Sequence, residues 1–266
     1  DADLTAMLGA LPSYTQIGMA ALLPHDGLRI ADDDSGQVYA GDSLLSGTAA
    51  REKQLATAAD SGRVKAMRAE EALALHNDDG RDLFRDHDTI YIYHNRIDAV
   101  GDKLATEDRL AEAADDAIED LVKLVRRLTS ANFSNILITA DHGFLYQHRP
   151  LEESDYAIAE PQGDAILLRN RRFVLGRGLR ETPGLKHFTP VQLGLGDGPD
   201  VLIPNSINRL RVKGAGARFV HGGASLQEVV VPLLRVSKRR EADLRQVDVQ
   251  IIVTGRGQIT SGQIAV

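Results

Sequence analysis

The sequence contains no cysteine and no long hydrophobic run. Without cysteine, disulfide bonds, thiolate-ligated zinc sites and iron–sulfur clusters are all excluded. No apolar stretch approaches the ~20 residues that a membrane-spanning helix needs. The first residues, Asp-Ala-Asp-Leu-Thr, also lack the character of a signal peptide. We therefore expect a cytoplasmic protein that makes no contact with a membrane.

Basic residues are also fewer than acidic residues. The 266 residues include 31 lysines and arginines against 38 aspartates and glutamates, a formal net charge of −7, whereas a protein that coats nucleic acid is basic. Contact with DNA would therefore need a local patch. One arginine run could hold a phosphate backbone, although such a run is more often a solvated strand face. The run consists of Arg169, Arg171, Arg172, Arg177 and Arg180.

The residues that are present are typical of a packed α/β protein. Hydrophobic residues make up 43% and charged residues 26%, which is too apolar for intrinsic disorder. Thr89–Tyr93 and Asn135–Thr139 have the composition of strands, and apolar residues at helical spacing over residues 107–128 predict a helix between them. Because a long helical connection favours parallel strands with a right-handed crossover, we predict a mostly parallel sheet flanked by helices.

Helical patterns precede this strand–helix–strand unit. Residues 14–23 predict a short helix, and residues 48–75 predict one or two helices with a break near Ser61-Gly62. Residues 28–46 are polar and contain glycine, so they predict a loop.

Short strands follow the unit. They are predicted between glycine and proline turns at residues 165–168, 172–175, 201–203, 210–212 and 228–234. A charged linker at residues 237–240 then leads to a strand at 247–253 that would begin a separate β unit. We therefore place one core domain at residues 1–236 and the linker with the start of a β domain at 237–266.

Acidic side chains follow both strands of the central unit. Asp98 and Asp102 come after the first strand, and Asp141-His142 follow the second. Functional groups in open α/β sheets gather beyond the carboxyl ends of the strands, and carboxylates that close to one another need a cation. The sequence therefore favours a metal site, with Gly143 allowing the turn that brings Asp141 and His142 to one site. The alternative is that these are turn and loop charges.

Two further residues are candidates for the same site. His221 precedes two glycines and a predicted strand and would add a nitrogen ligand. It could equally be an ordinary loop histidine. Thr15 lies at the start of the predicted helix over residues 14–23, where the helix dipole attracts phosphate and a metal could make its hydroxyl a nucleophile. The alternative is that Ser13 or Thr15 caps the helix.

Four blocks of the sequence contain these candidate residues. The blocks are Leu11-Pro-Ser-Tyr-Thr-Gln-Ile-Gly-Met-Ala-Ala-Leu-Leu-Pro24, Tyr93-His-Asn-Arg-Ile-Asp-Ala-Val-Gly-Asp102, Thr139-Ala-Asp-His-Gly-Phe144 and His221-Gly-Gly-Ala-Ser-Leu-Gln-Glu228. Taken together, they resemble the PglZ family of bacteriophage exclusion (BREX) systems, which belongs to the alkaline phosphatase-like superfamily. The resemblance extends from about Leu4 to Leu234.

The resemblance implies a set of roles. Thr15 matches the position of the superfamily's nucleophile. Asp98, Asp102 and His221 match the ligands of one metal, and Asp141 with His142 those of a second. The implied cofactors are two divalent ions in the full-length protein, zinc or manganese, with magnesium as an alternative. The implied activity is metal-dependent hydrolysis of phosphoesters, by a phosphatase or a nuclease-type phosphodiesterase, in anti-phage defence. Other BREX proteins, and DNA through the arginine run, are the implied partners.

Two departures from the family pattern keep other functions open. Asp102 stands where the superfamily has histidine, which makes that site richer in oxygen and weakens a preference for zinc. The aspartate that the family carries on an upstream first strand has no match, because only Asp1 and Asp3 precede Thr15. We therefore expect a fragment whose second metal site is incomplete. A non-catalytic scaffold subunit is one alternative, and a phosphotransferase or mutase is another.

Overall fold

The structure is a computed structural model that describes residues 1–213 and 218–238. The predicted linker extends beyond these residues, and the strand predicted at 247–253 lies outside them. The strands, in chain order, are β1 (Ala2–Leu8), β2 (Arg29–Ile30), β3 (Val38–Ala40), β4 (Ser43–Leu44), β5 (Val64–Arg68), β6 (Thr89–Tyr93), β7 (Asn135–Thr139), β8 (Leu145–Tyr146), β9 (Ala165–Arg169), β10 (Val174–Arg177), β11 (Leu185–Phe188), β12 (Asp200–Pro204), β13 (Phe219–Val220) and β14 (Val230–Ser237). The α-helices are α1 (Thr15–Ala21), α2 (Gly47–Ala58), α3 (Ala69–Ala74), α4 (Asn77–Arg85), α5 (Arg96–Gly101), α6 (Leu110–Ser130) and α7 (Leu226–Val229).

The α/β class is confirmed, but the pairing of the strands is mostly antiparallel. Strands β1, β14 and β7 form one sheet with β14 in the centre, and β11-β12-β10-β9 form a second. Two smaller antiparallel units are β2-β3-β4 and β13-β8. The parallel ladder in the described part of the chain joins β5 and β6. Short connections explain the antiparallel pairs β2-β3, β3-β4 and β9-β10, because such partners need no long crossover. The sheet β1-β14-β7 instead joins strands that are far apart in sequence.

The strands β6 and β7 do not pair with each other within residues 1–213 and 218–238. Strand β6 pairs with β5, and β7 pairs with β14. Both strands nevertheless begin beside one cavity of about 710 Å³, which is lined by Phe84, His87 and Asp88 before β6 and by Phe133–Asn135 at the start of β7. The predicted parallel strands are therefore joined by the 21-residue helix α6 without sharing a ladder in the described residues.

Four other sequence predictions need correction. Residues 28–46 contain the small sheet β2-β3-β4, because Ile30 and Val38 are buried among core residues. Residues 48–75 contain strand β5 as well as helices α2 and α3. Residues 210–212 are not a strand, although Leu210 is buried and its N–H donates to the Arg171 carbonyl at 2.7 Å. The predicted strand at 228–234 begins only at Val230, because Ser225 caps the turn of helix α7 that precedes it.

Helix α1 lies in the centre of the largest hydrophobic cluster. Ile17 and Ala20 have no solvent exposure and pack in one cluster with residues of β10, β12 and the small sheet β2-β3-β4. Just before the helix, the Tyr14 ring stacks on Phe173 with 4.7 Å between centroids. Burial on several sides leaves this short helix little freedom to move, so Thr15 is held firmly at its N-terminal end.

Helix α6 confirms the clearest helical pattern in the sequence. Its buried residues follow one another at intervals of three and four, the spacing of one helix face. They are Leu110, Ala113, Ala117, Asp120, Leu124 and Leu128. Ile118 was expected on the same face but is 60% exposed. No helix in the described residues combines the length and the apolar character required for a membrane span.

Candidate active site

Thr15 and His142 form the centre of the candidate site. The Thr15 Oγ1 atom lies 3.2 Å from His142 Nε2, and His142 Nδ1 lies 2.9 Å from the carbonyl oxygen of Gly143. A carbonyl can only accept, so Nδ1 carries the ring hydrogen and Nε2 is left with its lone pair. The Thr15 hydroxyl therefore donates to the single lone pair of Nε2, the same lone pair that a cation would use.

Two carboxylates lie on the same side of the His142 ring. Asp141 Oδ2 is 3.5 Å from His142 Nε2, and Asp98 Oδ2 is 3.8 Å from it. Burial, together with the charge of Asp98, raises the pKa of the Asp141 carboxyl. Asp141 Oδ2 is buried and accepts no hydrogen bond from the described residues. A buried carboxylate oxygen without a donor is costly, and a cation would offset that cost.

His221 and Asp102 form a second part of the site beside the first. The His221 ring stacks on the His142 ring with 4.1 Å between centroids, and its Nε2 lies 3.8 Å from Asp102 Oδ1. Burial, with the neighbouring His142, lowers the pKa of His221 to about 4, so the ring is neutral at pH 7 and can act as a ligand. Burial and the nearby Asp98 raise the pKa of Asp102.

The five metal-ligand candidates and Thr15 therefore lie in one region, as predicted. Asp98 follows β6 within helix α5, Asp102 is the residue after that helix, and Asp141-His142 follow β7. Neither predicted capping hydroxyl serves as a cap, because the N-cap residue of α1 is Tyr14 and it makes no side-chain capping bond. Ser13 instead donates to the Gly223 carbonyl at 2.6 Å.

The distances between the donor atoms of the site can be compared with those around a bound divalent cation. Tetrahedral ligands at ~2.1 Å from a metal lie roughly 3.4 Å apart, and the three contacts of His142 Nε2 at 3.2, 3.5 and 3.8 Å are close to that spacing. Within residues 1–213 and 218–238, however, no three histidine, aspartate or glutamate side chains already enclose a single point. The unpaired Asp141 oxygen and the nitrogen lone pair of His142 fit a cation that would draw the remaining donors inward.

Two glycines let the chain segments of the site approach one another. A Cβ on Gly18 of helix α1 would overlap the backbone oxygen of Asp141, and one on Gly143 would overlap the backbone oxygen of Gln227. The chain leaves strand β7 at Thr139, as the predicted turn requires, but Gly143 is not among the glycines with a positive φ. Glycine is required at position 143 because there is no space for a side chain.

Gly18→Ala is expected to lower the free energy of unfolding by about 1–3 kcal/mol through overpacking against Asp141, and to weaken the site. The matched control is Gly80→Ala in helix α4, where the added Cβ would meet its nearest atom at 3.8 Å. That change should stabilise the helix by about 0.5–1 kcal/mol. Urea unfolding measures both changes, and equal effects would contradict the close approach at Gly18.

A buried ion pair that the sequence patterns did not indicate lies next to the segment that follows His221. Arg172 and Glu228 have no exposed side-chain surface and lie 2.7 Å apart, from Nη2 to Oε2. Arg172 was assigned to the exposed arginine run, and that assignment is wrong. The signal that could have located Glu228 is Ser225-Leu-Gln-Glu228, the spacing of a capping box, which the structure contains.

Three of the other arginines of the run form ion pairs, and the fourth lines a small cavity. Arg169 pairs with Glu160, Arg177 with Asp32, and Arg180 with Asp164. Arg171 lines a small cavity of about 70 Å³ together with Asp102 and His221, and burial lowers the pKa of its guanidinium. With Arg172, four of the five thus pair with carboxylates, so the run is less positive than its sequence suggests. DNA binding by this surface stays a prediction.

Comparison with known protein families identifies the chain's relatives. Residues 1–236 match the model of the BREX system PglZ alkaline phosphatase-like domain. The chain belongs to the PglZ family. It is 39% identical over 237 residues to the alkaline phosphatase-like protein BrxZ of Escherichia coli O9:H4, and 37% identical over 255 residues to the alkaline phosphatase-like protein PglZ of Bacillus cereus. These alignments include 88% and 94% of this chain but only 27% and 29% of those proteins.

A solved structure supports the fold of this PglZ-family chain. Phosphonoacetate hydrolase from Sinorhizobium meliloti, in complex with phosphonoformate, superimposes with a TM-score of 0.54 at 14% identity. The match covers 87% of this chain and 81% of that one. The predicted alkaline phosphatase-like fold and the family resemblance are both confirmed.

Proposed function

We propose that this PglZ-family domain is a metal-dependent phosphoester hydrolase, with Thr15 as its nucleophile, that acts in anti-phage defence. The observation that carries the proposal is the contact between Thr15 Oγ1 and His142 Nε2, which has Asp141 and Asp98 beside it. The family supports the defence context, and the alkaline phosphatase-like fold is consistent with a hydrolase. The whole protein's substrate, a phosphomonoester or a nucleic-acid phosphodiester, is part of the proposal.

Some residues of the site would bind divalent cations, and others position the Thr15 hydroxyl. Asp141 and His142 would hold one divalent cation, zinc or manganese with magnesium as an alternative, and Asp98, Asp102 and His221 would hold a second. Bound cations would neutralise the carboxylates and the charge that builds up on a transferring phosphoryl group. Gly143, through its carbonyl, keeps the hydrogen of His142 on Nδ1. In the neutral ring Nε2 therefore has no hydrogen to donate toward Thr15, and a cation held beside it would make the Thr15 hydroxyl easier to deprotonate.

A scaffold role without catalysis is the second candidate, and one observation favours it. The Asp102 side chain is 59% exposed and lies 3.8 Å from His221, so this pair is less enclosed than the one at Asp141 and His142. In this case the full-length protein would bind its BREX partners and retain no divalent metal. A phosphotransferase or mutase would instead accumulate phosphorylated Thr15 in the presence of a sugar phosphate.

Thr15→Ala is expected to lower hydrolysis of an aryl phosphoester by about a hundredfold or more, because the attacking oxygen is lost. Metal content should be unchanged, since the carboxylates and imidazoles remain. Thr15→Ser should retain part of the activity. The matched control is Thr57→Ala, which removes an exposed hydroxyl of helix α2 that donates to Gln54. Full activity in Thr15→Ala, at wild-type stability, would refute the proposal.

Other BREX proteins are the proposed partners of the whole protein. The support is the family description, which names the BREX system. A pull-down with the full-length protein is the direct measurement.

A further inference from the structure

The buried ion pair of Arg172 and Glu228 makes several hydrogen bonds, both within the pair and to the surrounding backbone. Arg172 Nε donates to Glu228 Oε1 at 2.9 Å and Nη2 donates to Oε2 at 2.7 Å, a two-pronged arrangement. The guanidinium also donates to the carbonyls of Ser206, at 2.8 Å, and of Asn208. Such bonds fix orientation as well as energy, so Glu228 is held in one position.

The Glu228 carboxylate in turn binds the chain that follows His221. Its Oε1 accepts the N–H of Gly223 at 2.9 Å, and its Oε2 accepts the N–H and the hydroxyl of Ser225 at 3.2 and 2.7 Å. Gly223 lies so close that an added Cβ would be 2.6 Å from Glu228 Oε2. The loop carrying His221 is therefore tied directly to the ion pair.

The same loop is tied to the segment before Thr15. The buried Ser13 hydroxyl donates to the Gly223 carbonyl at 2.6 Å, and the Ser13 N–H donates to the Gly222 carbonyl at 3.2 Å. The backbone carbonyl of Glu228 accepts the N–H of Gly143, next to His142, at 2.9 Å. Glu228 thus bonds directly to the segments of Gly223 and Gly143, and the segment of Ser13 is joined to it through the Gly222-Gly223 carbonyls.

We propose that Arg172 and Glu228 form a positioning pair that keeps the loop of His221 in register with Thr15 and His142. This inference rests on the proposed function, because the register matters for holding metal beside the nucleophile. A well-packed apolar pair can match a buried ion pair in stability. What an apolar pair cannot supply is acceptors for the Gly223 and Ser225 N–H groups, and these are the bonds that set the loop's position.

The test compares Glu228→Gln and Ser13→Ala with the parent, in the whole 266-residue chain. Glu228→Gln keeps the side chain's size but replaces one acceptor with a donor. Ser13→Ala leaves the ion pair intact and removes only the bond to the Gly223 carbonyl, so it serves if Glu228→Gln does not fold. We expect Zn²⁺ affinity, measured by calorimetry, to fall by about ten- to a hundredfold, the range typical for residues behind metal ligands. The rate constant kcat should fall while KM stays constant.

The control is Arg127→Met, an arginine that donates to the carbonyls of Ala72, Leu73 and Leu75 on helix α3 and the residue after it. It should lower stability and leave Zn²⁺ affinity unchanged. Amide hydrogen exchange gives a readout independent of metal, and it should rise in residues 13–15 and 221–225 of both test variants but not in the control. Unchanged exchange in those segments, in a folded variant, would overturn the positioning role. A full-length protein that binds no Zn²⁺ and hydrolyses no ester would count against the proposed function, with hydrogen exchange still deciding on the pair.

Discussion

His142→Ala should reduce phosphoester hydrolysis by close to four powers of ten and reduce the bound divalent metal at the same time. The imidazole contacts the Thr15 hydroxyl, lies near two carboxylates and stacks on the His221 ring. Loss of a metal contribution of about 5 kcal/mol to transition-state stabilisation corresponds to that factor. The measurements are initial rates and metal content after dialysis.

The control for this prediction is His25→Ala, which removes an exposed imidazole. It should change neither quantity. His142→Ala also leaves a cavity, so the unfolding transition must be measured alongside. A folded His142→Ala protein that keeps both its metal and its activity would show that the metal lies elsewhere.

Glu228→Leu is expected to lower the free energy of unfolding by about 3–5 kcal/mol, because it leaves the Arg172 charge buried without a partner. Both side chains are inaccessible to solvent, so water cannot replace the carboxylate. The double variant Arg172→Met with Glu228→Leu should recover part of the loss, since no unpaired charge remains. Urea unfolding of the two single variants and the double variant gives the coupling energy. Additive losses would contradict a direct charge interaction.

The variants His142→Ala and Glu228→Leu distinguish the role of His142 in the site from that of the buried ion pair. His142→Ala removes a group that would touch metal and nucleophile, so its effect should be mainly on rate. Glu228→Leu removes a group that touches neither, so it should lower stability strongly and change the rate only through the position of the His221 loop. A variant pair with the reverse pattern would mean that His142 is chiefly structural.

Local sequence patterns were sufficient to predict a helix or strand whose own residues carry a clear periodicity or composition. The helical spacing of Leu110, Leu124 and Leu128 predicted α6, and the β-branched and aromatic run Thr89–Tyr93 predicted β6. The residues of the candidate site were also reached from the sequence, because they follow strand ends and stand in blocks that resemble the PglZ family. Their metal and catalytic roles stay predictions.

Patterns failed where a residue's environment came from distant parts of the chain. Arg172 looks like its exposed neighbours in sequence, yet it is buried because Glu228, 56 residues away, provides a matching carboxylate. The strand β5 was read as helix because its five residues, Val64–Arg68, contain lysine, alanine and arginine. Its parallel pairing with β6 overrides that propensity.

The amino-acid sequence by itself determined the α/β class, the family and the set of residues around Thr15, since these depend on residue type, spacing and order. Tertiary structure alone decided which strands pair, which arginine is buried, how Gly143 and Gly223 bond to Glu228, and how Ser13 bonds to Gly223. The physical reason is that hydrogen bonds and ion pairs between distant segments depend on positions in space, which local periodicity does not encode.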